Sequence, residues 1–115
     1  MSLKKINKIS SQETFAHVFK CPDFKLKSKG FSLLAKKNSR DNPRLGISLK
    51  KKNIKLSVHR NLVKRLIKET FVYQKDKLPN LDYIIISSRG LDIKNPALKH
   101  EIYSLWENAS SKQVN

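Results

Sequence analysis

The stretch from Arg44 to Val72, RLGISLKKKNIKLSVHRNLVKRLIKETFV, constrains the fold of this chain most, because it joins a strand, a run of cations and an amphipathic helix without a break. Leu45, Ile47 and Leu49 alternate with Gly46, Ser48 and Lys50, the period of a strand with one buried face and one small, polar, reachable face. From about Ser57 to Lys77 the period becomes helical. At about 100° per residue, Val58, Leu62, Val63, Leu66, Ile67 and Thr70 fill one half of the circumference, and Arg60, Asn61, Lys64, Arg65, Lys68 and Lys75 fill the other. Such a helix docks by one side and holds a rigid positive ridge outward.

The ridge is almost uncompensated. Glu69 is the only acid between Arg44 and Lys75, so the Glu-to-Lys pairs that decorate ordinary surface helices are missing. The imbalance extends to the whole chain, whose 115 residues include 25 Lys and Arg against 9 Asp and Glu, a formal charge of +16. Self-repulsion of this kind opposes compaction, and the charge attracts polyanions at long range with strong salt dependence. A nucleic acid is the expected partner. A membrane is disfavoured, since no apolar run approaches the roughly 20 residues of a span and the start, MSLKKINKISSQ, lacks the apolar core of a signal peptide. Cys21 is the only cysteine, which excludes an intrachain disulfide and a cysteine metal cluster and fits a reducing cytoplasm.

The length suits a single domain over 1–115 that folds without staples. Residues 1–9 read as an irregular basic arm. Ser10 and Glu13 have capping-box spacing, which predicts a helix to about Lys20 with Phe15, Val18 and Phe19 as its apolar stripe, stopped by Pro22. Extended chain follows from Lys25, and the turn chemistry of NSRDNP, Asn38 to Pro43, predicts a hairpin into the Arg44 strand. Beyond the main helix, DYIIISS, Asp82 to Ser88, is apolar on both sides and reads as an interior strand. A long helix between the two strands implies that they pair in parallel. Asn95 and Pro96 open a last helix, in which Leu98, Ile102, Leu105 and Trp106 keep helical spacing to about Asn108, with a frayed tail at 109–115.

No protein active site assembles from this pattern. His17, His59 and His100 lie on three different elements without a patterned cysteine or carboxylate, and Gly30, Gly46 and Gly90 are too isolated for a phosphate loop, so no catalytic or metal-ligating residue is assigned. Asp82 opens a strand, where a turn or cap role suits it better than a metal. Phe15 and Phe19 sit one helical turn apart. Were the first helix to lie along the sheet edge, beside the strand face carrying Ser48 and Lys50, they would wall a groove of the kind that holds single strands. Periodicity alone favours both phenylalanines as core.

KKKNIKLSVHRNLVKRLIKETF, preceded by RLGISL and followed by LPNLDYIIIS and SLW, resembles the protein subunit of bacterial ribonuclease P, over Phe15 to Trp106. The likeness rests on the order RxGxS, lysine cluster, RNxxKRxxK, then a strand opening on Asp and an aromatic residue. It implies an α+β fold, a compact α/β sandwich in the order helix-strand-strand-strand-helix-strand-helix, with a left-handed crossover where general rules favour a right-handed one. It also implies a ribonucleoprotein that hydrolyses one phosphodiester bond to free precursor tRNA of its 5′ leader. In that assembly the catalytic RNA is the catalyst, Mg²⁺ is bound mainly by the RNA, and no obligate protein partner is needed.

Matched position by position, the resemblance puts Arg60, Asn61, Lys64, Arg65 and Lys68 against the catalytic RNA, and adds Lys50, Lys51 and Lys52 as the basic segment before them. It puts Phe15 and Phe19 in a cleft for the single-stranded leader, to which the reachable strand face adds Ser48. Leu62 stands where the family motif has arginine, and 21–30 align poorly and carry no assigned contact. Two other readings stay open. One is a ribosomal or general structured-RNA-binding protein; the other, a self-sufficient nuclease, is disfavoured by the sparse acids and histidines.

Overall fold

The computed structural model describes Lys8, Ile9 and residues 12–112. Its elements run α1 (Gln12–Lys20), β1 (Phe24–Lys27), β2 (Phe31–Lys37), β3 (Arg44–Ser48), α2 (Ser57–Gln74), β4 (Leu81–Ser87) and α3 (Leu98–Ser110), with a 3₁₀ turn, Lys75–Lys77, closing α2. This is the mixed α+β order that the resemblance implied. The expected capping residue Ser10 lies outside the described residues, as do residues 1–7 of the expected arm. Of that arm, Lys8 makes an isolated parallel bridge to Leu45, and the Ile9 amide donates to the Leu45 carbonyl at 3.0 Å.

The four strands form one sheet in the order β1-β2-β4-β3. β4 pairs with β2 antiparallel and with β3 in parallel, the latter in a register that sets Arg44 opposite Asp82 and Ile47 opposite Ile85. The parallel pairing follows the sequence expectation, but the NSRDNP hairpin does not form. β4 separates β2 from β3, and the antiparallel hairpin is β1 with β2 instead. The apolar character of β4 explains the difference, since both its faces and both its edges are satisfied only in the interior of the sheet.

Side chains leave alternate sides of each strand. On one face, Phe31, Leu33, Leu45, Tyr83 and Ile85 pack beneath α2 and α3; on the other, Leu34 and Ile84 pack with Ile9 and with Val18 of α1. Under α2 and α3 the Phe71, Tyr83 and Trp106 rings meet edge to face at centroid distances of 5.1 to 6.4 Å. The Trp106 indole donates to the Thr70 hydroxyl at 3.0 Å. That hydroxyl donates in turn to the Leu66 carbonyl, so the indole and the hydroxyl are both satisfied within this apolar layer.

This aromatic cluster also sets the rotation of α2. Phe71 and Val58 are separated by about 140° around a helix of 3.6 residues per turn, so both cannot be buried. Phe71, with its two ring partners, is buried, and Val58 is left 65% exposed. The buried stripe is therefore Val63, Ile67, Thr70, Phe71 and Gln74, turned away from the expected one, and Leu62 is only half-buried. At the C-terminus α3 runs to Ser110 with Ala109 fully buried, two residues into the expected frayed tail. The Asn95 side chain accepts from the Ala97 amide at 2.9 Å, a local turn that delays the start of α3 to Leu98.

Candidate nucleic-acid interface

Lys50, Lys51 and Lys52 occupy a built turn. The Lys50 carbonyl accepts from the Asn53 and Ile54 amides at 3.0 and 3.1 Å, and Ile54 is buried in the core. Ser87, at the end of β4, anchors the turn from below: its hydroxyl accepts from the Lys50 amide at 2.9 Å and donates to the Asn53 side-chain oxygen at 2.8 Å. The three lysines are thus exposed on a backbone that is fixed at both ends.

The α2 helix starts directly after this turn with no acid in its first turn and no side-chain cap. Arg60 reaches back instead, donating from one terminal nitrogen to the Ile54 and Lys55 carbonyls at 2.9 and 3.0 Å. The positive end of the helix dipole is left beside cations, an arrangement that favours an anion nearby. Along the helix Asn61, Lys64 and Arg65 are exposed and Lys68 is half-buried.

Lys64 and Lys68 border a cleft of about 220 Å³ whose other walls include Lys8, Phe15, Leu45, Gly46 and Ile47. Cationic and aromatic walls thus face one another across the outer strand β3. Gly46 permits this, because a Cβ there would lie 2.6 Å from the tip of the Phe15 ring. The face of β3 expected to be reachable is therefore partly roofed: Gly46 is buried and Ser48 half-buried.

At the start of β3, Arg44 donates from Nε and one terminal nitrogen to the two Asp82 carboxylate oxygens at 2.7 and 2.6 Å, and the Asn38 amide donates to Asp82 at 2.8 Å. Burial pushes the Asp82 carboxyl up, but the hydrogen bonds from Arg44 and Asn38 and the charges of Arg44 and Arg40 outweigh it and hold the group below its ordinary range. The same bond to Asp82 raises Arg44. This clasp pins the strand that floors the cleft to the centre of the sheet.

A family model described as Ribonuclease P matches residues 3–110 of the chain. The chain belongs to the ribonuclease P protein component family. Among its relatives, the ribonuclease P protein component of Pseudomonas aeruginosa is 42% identical over 94 residues, 81% of this chain and 70% of the relative. That of Pseudomonas fluorescens is 43% identical over 102 residues, 87% of this chain and 77% of the relative. In three dimensions the RNase P protein of Staphylococcus aureus superposes with a TM-score of 0.72 at 28% identity, covering 91% of this chain and 93% of that one.

In this ribonuclease P family member the expected site residues divide into three groups. Lys50, Lys51 and Lys52 gather on the anchored turn; Asn61 and Arg65 lie on the outer face of α2; Lys64 and Lys68 share a cleft with Phe15. Arg60 is half-buried, with part of its guanidinium committed to the backbone before the helix. Phe19 is 44% exposed, one turn beyond Phe15, and neither it nor Ser48 lines the cleft. Phe15 itself combines both expectations, packing on the small core under α1 while edging the cleft. Sequence reasoning missed Ser87 and Asn53, and read Asp82 as a turn or cap residue rather than as the partner of Arg44. For the last the signal was available, because parallel strands that open on Arg44 and on Asp82 bring these two side chains together.

Proposed function

We propose that this chain is the protein subunit of a ribonuclease P ribonucleoprotein, which removes the 5′ leader from precursor tRNA. The lysine turn and the outer face of α2 bind the catalytic RNA, and the single-stranded leader lies in the cleft beside Phe15. The observation that carries this reading is the shared cleft, in which Lys64 and Lys68 stand across from an aromatic ring: ammonium groups suit phosphates, and the ring suits an unpaired base. Each phosphate neutralised releases counterions, so binding is strong at low salt and positions the RNA without reading its sequence.

Bond cleavage belongs to the RNA in this reading. Among the described residues no group of three or more His, Cys, Asp or Glu stands together, and the Asp82 carboxylate is already engaged by Arg44 and Asn38. A resident Mg²⁺, which takes oxygen ligands in near-octahedral geometry, does not fit such a donor set. Mg²⁺ is held by RNA oxygens, and the cations of this chain lower the concentration that the folded RNA requires. No described helix is long and apolar enough to cross a membrane.

The test mixes the purified protein with the cognate catalytic RNA and end-labelled precursor tRNA at low Mg²⁺. Stimulated release of the leader, greater for precursor than for mature tRNA in competition, is the expected result. No stimulation, or recovery of ribosomal RNA as the dominant species bound to the protein in cells, defeats the reading.

A further inference from the structure

On the flank of α2 that faces α3, Tyr73 is 73% exposed, the most open large apolar side chain among the described residues. Its ring meets Tyr103 of α3 at a centroid distance of 5.6 Å and a tilt of 58°. The two rings border a recess of about 290 Å³ with Glu69, Thr70 and Lys99. Ordinary ligand clefts run from about 300 to 1,000 Å³, so the recess lies at the small end of that range and suits one ring-sized group. Glu69 does not repel an anion here, because Lys99 stands 3.6 Å from its carboxylate.

The patch continues the cationic ridge. Tyr73 lies about 12 Å along the helix axis from Arg65 and about 80° round it, at 1.5 Å and 100° per residue. We propose that Tyr73 and Tyr103 form a second nucleobase platform, which stacks an unpaired base of the same RNA that binds α2 but lies on the opposite flank of the helix from the Phe15 cleft. Charge complementarity selects this occupant: the chain carries a formal charge of +16, Lys99 borders the recess and offsets Glu69, and stacking holds bases without regard to sequence. The proposal rests on the reading that the partner is RNA.

The experiment measures equilibrium binding of the full chain to the cognate catalytic RNA at several salt concentrations. Tyr73→Ala is expected to weaken binding by about fivefold to a hundredfold, the range for loss of one stacked base, with the slope of affinity against salt unchanged because no charge is lost. Tyr73→Phe should bind like the wild type, and the melting temperature of Tyr73→Ala should stay within about 2 °C of it, as for an exposed side chain. Wild-type affinity in Tyr73→Ala, alongside weakened binding in Arg65→Ala, overturns the platform and leaves the proposed function standing. A dimer of the free protein that Tyr73→Ala abolishes also overturns it, assigning the patch to a second copy of the chain. Failure of the wild type to bind the RNA defeats both.

Discussion

Replacing Asp82 by alanine tests whether the clasp holds β3 in place. The substitution strands the Arg44 guanidinium, whose side chain keeps only 15% of its surface in contact with solvent, and removes a carboxylate side chain that is 6% exposed. Breaking a buried pair from one side costs about 3 to 5 kcal/mol. The low end applies, because the residual exposure of Arg44 lets water reach its guanidinium, so the expected loss is about 3 kcal/mol. With an unfolding entropy of about 2.1 cal/mol/K per residue, that loss lowers the melting temperature of a chain of 115 residues by about 12 °C. Thermal unfolding at pH 7, followed by far-UV circular dichroism, reads it directly. The double variant Arg44→Met/Asp82→Leu should recover at least half of the loss, since a packed apolar pair replaces a buried ionic one at little cost. A loss below about 1 kcal/mol in Asp82→Ala, or a double variant as unstable as the single one, refutes the reasoning.

The clasp also predicts a pH dependence. Its carboxyl is held below the ordinary value of 3.8, so its contribution is complete above that value and disappears as pH falls through the lower folded-state value. Acid unfolding of the wild type below about pH 4 should therefore be steeper than that of Asp82→Asn, and equal slopes would contradict the assignment. Gly46→Ala places a Cβ 2.6 Å from the Phe15 ring tip, so it should cost about 1 to 3 kcal/mol by overpacking and, by displacing Phe15, narrow the preference for precursor over mature tRNA in competition binding. Ser87→Ala removes the hydroxyl that joins Lys50 to Asn53. It should cost about 1 kcal/mol of stability and weaken binding to the catalytic RNA although no charge changes; unchanged RNA affinity would show that the lysine turn needs no anchor.

What could be read in the sequence followed from local periodicity, and what could not depended on competition between distant segments. The β3-α2-β4 unit was legible because alternation in RLGIS, helical spacing after Ser57 and the isoleucine run of β4 each fix one element, and a long helix between two strands forces them parallel. NSRDNP looked like a hairpin because turn residues show where a chain reverses and say nothing about which strand it then pairs with. Only the demand of β4 for neighbours on both edges decides that, and it places β4 between the two strands that the turn connects. The same logic governs α2. Every apolar residue counts equally in a periodic pattern, but Phe71 has Tyr83 and Trp106 to meet and Val58 has no such partners, so the helix turns toward the rings and carries Lys64 and Lys68 with it. A rotation chosen by the core therefore brings those two lysines over β3 to face Phe15. The aromatic cluster beneath α2 and the cationic wall of the cleft above β3 are two consequences of one packing decision.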